Sequence, residues 1–313
     1  MKASALFCAL GVVMALGGTE TVSAQEEVPR PNLGGHTFLE HVLFPGAFVQ
    51  TSMRNTLGVG RALNVETLPP IQIDTLEFGG KRGNLYFATL SLGYQHAVTD
   101  WLALGAQFGL AARLGDGVNT ILAQGATMNF AFDLGARFRL YEGESTYLST
   151  GISLKRDNVT VIDFRSWVEG IVEDEDVPLV GKRPSTRPGI DLAGAWAPAH
   201  WIGLQGFVGV SLGDNLEAEQ ESDWYNSFGA SADFDLLSVS SIPVGFVVGG
   251  RRDTFPRSAS DLAEAVYGWL FRIAYTGRND FVVGLDLTMD RVPLREGGKL
   301  EAGSVQFSTR YYF

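Results

Sequence analysis

The residues able to do chemistry in this chain are few, and their spacing limits what that chemistry is. Histidine is the usual base for a hydrolytic nucleophile, and only four are present: His36, His41, His96 and His200. His36 and His41 lie near the N-terminus, His96 on the apolar parity of an alternating stretch, and His200 in a Pro-Ala-His turn, and none has a serine partner placed by the pattern. The carboxylate pairs Asp233 with Asp235 and Asp286 with Asp290 have two readings, an acid–base site or the inward polar face of a strand. Residues two apart share a strand face by geometry alone, which favours the second. The run Glu173 to Asp176 in "VEDEDVP" lacks the Asp-x-Asp-x-Asp-Gly spacing that wraps a hard cation. It reads as a solvated acidic loop, with a weak divalent or lipopolysaccharide-bridging role as the minor alternative. "LGDGVN" lacks the length and context of a phosphate loop. No catalytic residue, metal site or cofactor is expected.

The elements that must position these residues are strands. Lys2 is followed by an apolar run from Ala3 to Leu16 and by Val22-Ser23-Ala24 before Gln25, the pattern of a secretory signal peptide over 1–24. The single cysteine, Cys8, falls inside that segment, so a processed chain has no thiol chemistry. The net charge of −11 argues against electrostatic binding to nucleic acid. The uncharged stretch from Leu192 to Gly213 is long enough for a membrane helix, but Pro198, His200, Gln205 and its glycines make it strand, turn, strand.

Alternation dominates the rest. In "MNFAFDLGARFRL", Met128, Phe130, Phe132, Leu134, Ala136, Phe138 and Leu140 take one parity, with Asn129, Asp133, Arg137 and Arg139 on the other. "FVVGLDLTMD" and "WLFRIAY" repeat the pattern, and aromatics collect at strand ends. Strands are expected near 46–60, 84–97, 101–113, 127–140, 146–158, 187–197, 201–213, 224–236, 241–252, 264–276, 280–292 and 301–313. Short and long connections alternate between them. Long strands, aromatic girdles and that alternation describe a single all-β transmembrane antiparallel up-and-down barrel of about twelve strands over 46–313. Residues 25–45 read as a periplasmic N-terminal lead, extended or tucked into the barrel. In the hairpin around "TGRND", pairing Thr276 with Val282 puts Arg272 opposite Asp286.

The chain ends in "SVQFSTRYYF", with Val305, Phe307, Thr309, Tyr311 and Phe313 on one parity. This resembles the terminal strand of Gram-negative outer-membrane β-barrels. The resemblance implies an outer-membrane location and a partner in the barrel-assembly machinery, with Phe307, Tyr311 and Phe313 as the assembly signal. "LSLGYQHAVTDWLALGAQFGL" is similar, over about twenty residues, to hairpins of barrels grouped as phenol-degradation MetA-pathway or putative transporter proteins.

On that fold the inward face carries Arg54, Arg137, Arg139, Lys155, Arg251, Arg272 and Arg310 against Asp133, Asp191, Asp233, Asp235, Asp286 and Asp290. Buried charges must be paired or wet. Two readings stay open. One is a narrow mixed-charge channel for a small-molecule solute, with both termini periplasmic and acidic loops favouring cations at its mouth. The other is a lumen knitted shut in a structural or interaction barrel, and an outer-membrane enzyme is the third. Outer-membrane lipid and lipopolysaccharide are the surrounding partners, with no nucleic acid.

Overall fold

The structure is a computed structural model that describes residues 30–66, 71–73, 76–78, 82–115, 126–162, 180–214, 222–254, 265–293 and 299–313. Twelve strands form one closed antiparallel barrel: β1 (Ser52–Glu66), β2 (Arg82–Thr99), β3 (Leu102–Gly115), β4 (Ala126–Glu142), β5 (Thr146–Ile162), β6 (Val180–Ala199), β7 (Ile202–Asp214), β8 (Ser222–Asp235), β9 (Val244–Thr254), β10 (Ala265–Tyr275), β11 (Phe281–Pro293) and β12 (Lys299–Tyr312). Each strand pairs with its neighbour in sequence, and β12 closes on β1 through pairs such as Phe307 with Leu57 and Tyr311 with Met53. Closure removes both sheet edges, which in a bilayer would leave backbone groups without partners.

The alternation in sequence becomes an apolar outer wall. Leu57, Leu104, Phe130, Phe132, Leu134, Ile152, Val208, Trp269, Leu285 and Phe307 are all exposed on it. Phe307, Tyr311 and Phe313 stand on that face, and the Phe313 amide donates to the Thr51 carbonyl at 3.1 Å. The barrel register follows the expected pairing, with Arg272 opposite Asp286. Among the described residues no helix is long and apolar enough to cross a membrane.

Two strands differ most from their expected bounds: β6 begins at Val180, seven residues before 187, and β1 is shifted at both ends, to 52–66 from 46–60. Residues 46–51 are apolar enough at Ala47, Phe48 and Val49 to read as strand, but they belong to a segment that runs inside the barrel. The segments 1–24 and 173–176 lie outside the described residues.

The inner segment enters from the short-turn end, where the Arg30 amide donates to the Asn279 carbonyl at 3.2 Å and Arg30 Nη2 to the Thr276 carbonyl at 2.8 Å. A two-residue turn at Gly34 and Gly35, with φ of 56° and 83°, pairs Leu33 with His36. Positive φ at both positions is the reason for two successive glycines. The chain then runs through Phe38 to His41, bends at Val42 to Phe44 and returns through Ala47 and Phe48 beside Phe38, where the Val49 amide donates to Tyr147 Oη at 3.0 Å. Two apolar clusters hold it. Leu33, Phe38, Ala47 and Phe48 pack on Tyr147, Ala193, Ala195 and Ala197. Leu39, Leu43 and Phe44 pack on Val247, Leu270, Ala274, Val282 and Tyr312. Each large side chain so buried contributes about 2 kcal/mol, so the segment is a core for the inner wall.

Candidate functional site

The polar face of each strand meets this inner segment on one side of the lumen and open space on the other. His36 Nε2 contacts Asp233 Oδ1, both side chains fully buried, and Gln205 Nε2 donates to Asp233 Oδ2 at 3.3 Å. Glu40 of the segment pairs with Arg310 and accepts from Gln50 Nε2 at 2.5 Å. His41 Nδ1 accepts from the Leu43 amide at 3.2 Å, and Nε2 lies 2.9 Å from Ser231 Oγ. An Nδ1 that accepts leaves the proton on Nε2. His41 therefore donates to Ser231 and has no free lone pair for the serine proton, so this pair is a positioning bond, unlike a nucleophile and its base. Burial, with the Arg272 and Arg54 guanidinium groups adding to it, pushes the His41 pKa from 6.5 down to about 3.

The expected inward charges are arranged around these contacts. Arg272 Nη1 donates to both oxygens of Asp286 at 3.1 Å, and Ser308 Oγ donates to Asp286 Oδ2 at 3.2 Å. Gly284 makes room for the guanidinium, since a Cβ there would lie 2.7 Å from Arg272 Cζ. Asp235 accepts from Thr276 Oγ1 and from the Leu237 amide, each at 3.1 Å, and so ties the turn after β8. Arg251 lies 3.3 Å from Asp253 and 3.6 Å from Asp290 and donates to the Leu43 carbonyl at 3.3 Å. Arg137 bonds Asp191 at 2.8 Å and Ser149 at 3.0 Å, and Lys155 stands 3.9 Å from Asp133. Arg139 pairs with Glu142 at the short-turn rim. Arg54 donates to Gln107 Oε1 at 2.8 Å and to the His41 carbonyl at 3.4 Å.

Beside the inner segment lies a cavity of about 390 Å³, lined by Glu40, Leu43, Phe44 and Gly46 of the segment and by the wall from β1 to β6. That wall is floored with small residues in register: Gly105 opposite Gly135, Gly135 opposite Ser153, Ser153 opposite Gly189. Arg54, Asp133, Arg137, Lys155, Asp191, Arg251 and Arg310 reach this cavity. Asp233, Asp235 and Arg272 are buried beneath the segment, on the other side. His36, Glu40 and His41 are the lumen residues that the alternation rule misses, because they come from a stretch outside the barrel strands. A signal for them was present: "TFLEHVLFPGAFV" is too apolar for a solvated lead.

The chain matches no protein-family model and no curated protein. Solved structures resemble it in fold. The COG4313 outer membrane channel from Pseudomonas putida F1 is 10% identical, with 87% of this chain and 100% of that chain covered and a TM-score of 0.55. The β domain of the Bordetella autotransporter Brka is 10% identical over 85% of this chain and 100% of that one, with a TM-score of 0.49. LpxR from Salmonella typhimurium is 12% identical over 82% and 100%, with a TM-score of 0.48. At such identities the likeness is one of fold. Twelve strands closed on themselves, an apolar outer wall and the likeness to the COG4313 channel give the chain the fold of an outer-membrane β-barrel.

Proposed function

We propose that the chain is a conduit for small polar solutes across the outer membrane of a Gram-negative bacterium, with both termini in the periplasm and the segment from Arg30 to Thr51 setting its width. The observation that carries this reading is the cavity beside the segment, where the glycine-floored stretch at Gly105, Gly135 and Ser153 borders open space while β6 and the wall from β9 to β12 are packed. The opposed pairs Asp133 with Lys155 and Arg137 with Asp191 give that lane a transverse field, which orients dipolar solutes as they pass. The reading involves no chemical step. The protonated Nε2 of His41 supports that, because it removes the one Ser–His contact among the described residues as a catalytic pair.

The apolar packing of the segment supports a second reading, a structural barrel with a closed lumen. Conductance separates the two. A Cβ on Gly105 meets nothing nearer than a backbone oxygen at 3.7 Å, so Gly105→Leu narrows the lane without straining the wall. Purified protein in a planar bilayer should give small unitary steps, and Gly105→Leu should lower them by about half or more. Silence of the wild type, together with no swelling of loaded liposomes in neutral sugars, would establish the closed barrel.

A further inference from the structure

The outer wall carries a depression that lumen transport does not use. One outward row runs Val59, Ala88, Ala112, Met128, Thr160 across β1 to β5, each residue directly opposite the next. Two adjacent alanines sit there between larger neighbours, with Tyr86 and Leu114 in the next row toward the long connections and Leu90 opposite Leu110 in the row below. The result is a groove of about 640 Å³ lined by Val59, Tyr86, Ala88, Ala112, Leu114 and Met128. At its upper rim Arg61 stands opposite Tyr86, exposed, with its guanidinium carbon 5.4 Å from the ring centroid. Among the residues whose side chains the structure describes, no carboxylate pairs with Arg61.

We propose that this groove binds one acyl chain of a phosphorylated, multiply acylated glycolipid of the outer leaflet, lipid A in chemical type, with a phosphate on Arg61. In a bilayer every apolar surface is covered by lipid, so the groove alone selects nothing, and retention needs packing and a polar contact. The two alanines supply the first, since a chain that fills the depression regains contacts a bridging chain forfeits. Arg61 supplies the second: a guanidinium pre-positioned on an aromatic face in an otherwise acidic protein meets a phosphate with charge-assisted hydrogen bonds. The two features occur together here and not at the comparable cation on the far wall. Arg252 stands 5.6 Å from the Phe228 ring, but its row continues through the large residues Tyr267 and Arg291 where the other has two alanines. Arg291 is in turn held by Glu301 at 2.9 Å. The inference rests on the proposed orientation, in which the Arg61 end of β1 lies in the outer leaflet.

The test is native mass spectrometry of the full barrel extracted in detergent, with lipid A or phosphatidylglycerol added, scored only on the heat-modifiable folded fraction. Wild type should retain one lipid A. Arg61→Gln and Ala112→Phe should each lower retention roughly tenfold, the worth of one charged contact of about 1.4 kcal/mol, while Arg252→Gln leaves it unchanged. Equal retention by wild type, Arg61→Gln and Ala112→Phe, no retained lipid A, or preferential retention of phosphatidylglycerol would each overturn the proposal. The orientation is read separately, by a membrane-impermeant maleimide on intact cells expressing Ser258→Cys. Labelling places the long connections outside, and its absence would overturn the outer-leaflet assignment whether or not the barrel conducts.

Discussion

His41 is neutral in the folded protein because both ring nitrogens have committed partners, the Leu43 amide at Nδ1 and Ser231 at Nε2. Protonation would put a second hydrogen where the Leu43 amide already points, beside Arg272 and Arg54. The consequence for stability has a definite sign. With a folded pKa of about 3 and an unfolded one of 6.5, the released segment binds the proton first as pH falls. Docking of the segment is therefore fully supported above pH 6.5 and weakens between 6.5 and 3, by roughly 2–3 kcal/mol at pH 4.5. Hydrogen exchange at the Leu43 amide, corrected for intrinsic rates, should show protection falling from pH 7 to pH 4.5, and His41→Gln should flatten the dependence. Equal protection at both values in the wild type would contradict the assignment.

At the scale of elements, the β10–β11 hairpin shows what register does in a barrel of this size. Arg272 and Asp286 meet because paired residue numbers across the hairpin hold one register, which a slip by two would lose. Both side chains are almost fully buried, at 2% and 0% exposure, so each is costly without the other. Arg272→Met alone should lower stability by about 3–5 kcal/mol, whereas Arg272→Met with Asp286→Leu should recover most of the loss. Urea unfolding in detergent micelles measures both, and a double variant as unstable as the single one would place the energy elsewhere. The hairpin was legible in sequence because alternation and a short turn fix its pairing. The inner segment was legible only in part. Its histidines and Glu40 follow no two-residue period, and residues 46–51 mimic a strand because Ala47, Phe48 and Val49 are apolar for the sake of the lumen and not the bilayer. The adjacent valines at 247–248 and 282–283 were the complementary sign, since Val247 and Val282 face inward and are buried under the segment.

For the whole molecule, period-two alternation specified the wall and said little about its contents. Strand number, closure and inward charges follow from one rule applied repeatedly, whereas the filling of the lumen depends on contacts between residues about 200 positions apart, such as His36 with Asp233 and His41 with Ser231. The central claim is that the lumen is one-sided: packed by residues 30–51 along β6 to β12 and at Tyr147 near the short turns, and open where Gly105, Gly135 and Ser153 line β3 to β5. Thiol reactivity during current recording tests it most directly, in protein with Cys8 replaced, because the chain has no other cysteine. Gly105→Cys places a thiol in the lane, and Ser231→Cys places one beneath His41. A bulky methanethiosulfonate should step the Gly105→Cys current down and leave Ser231→Cys unaffected; block of both variants alike would show that the segment does not cover that wall, and block of neither would show that there is no lane.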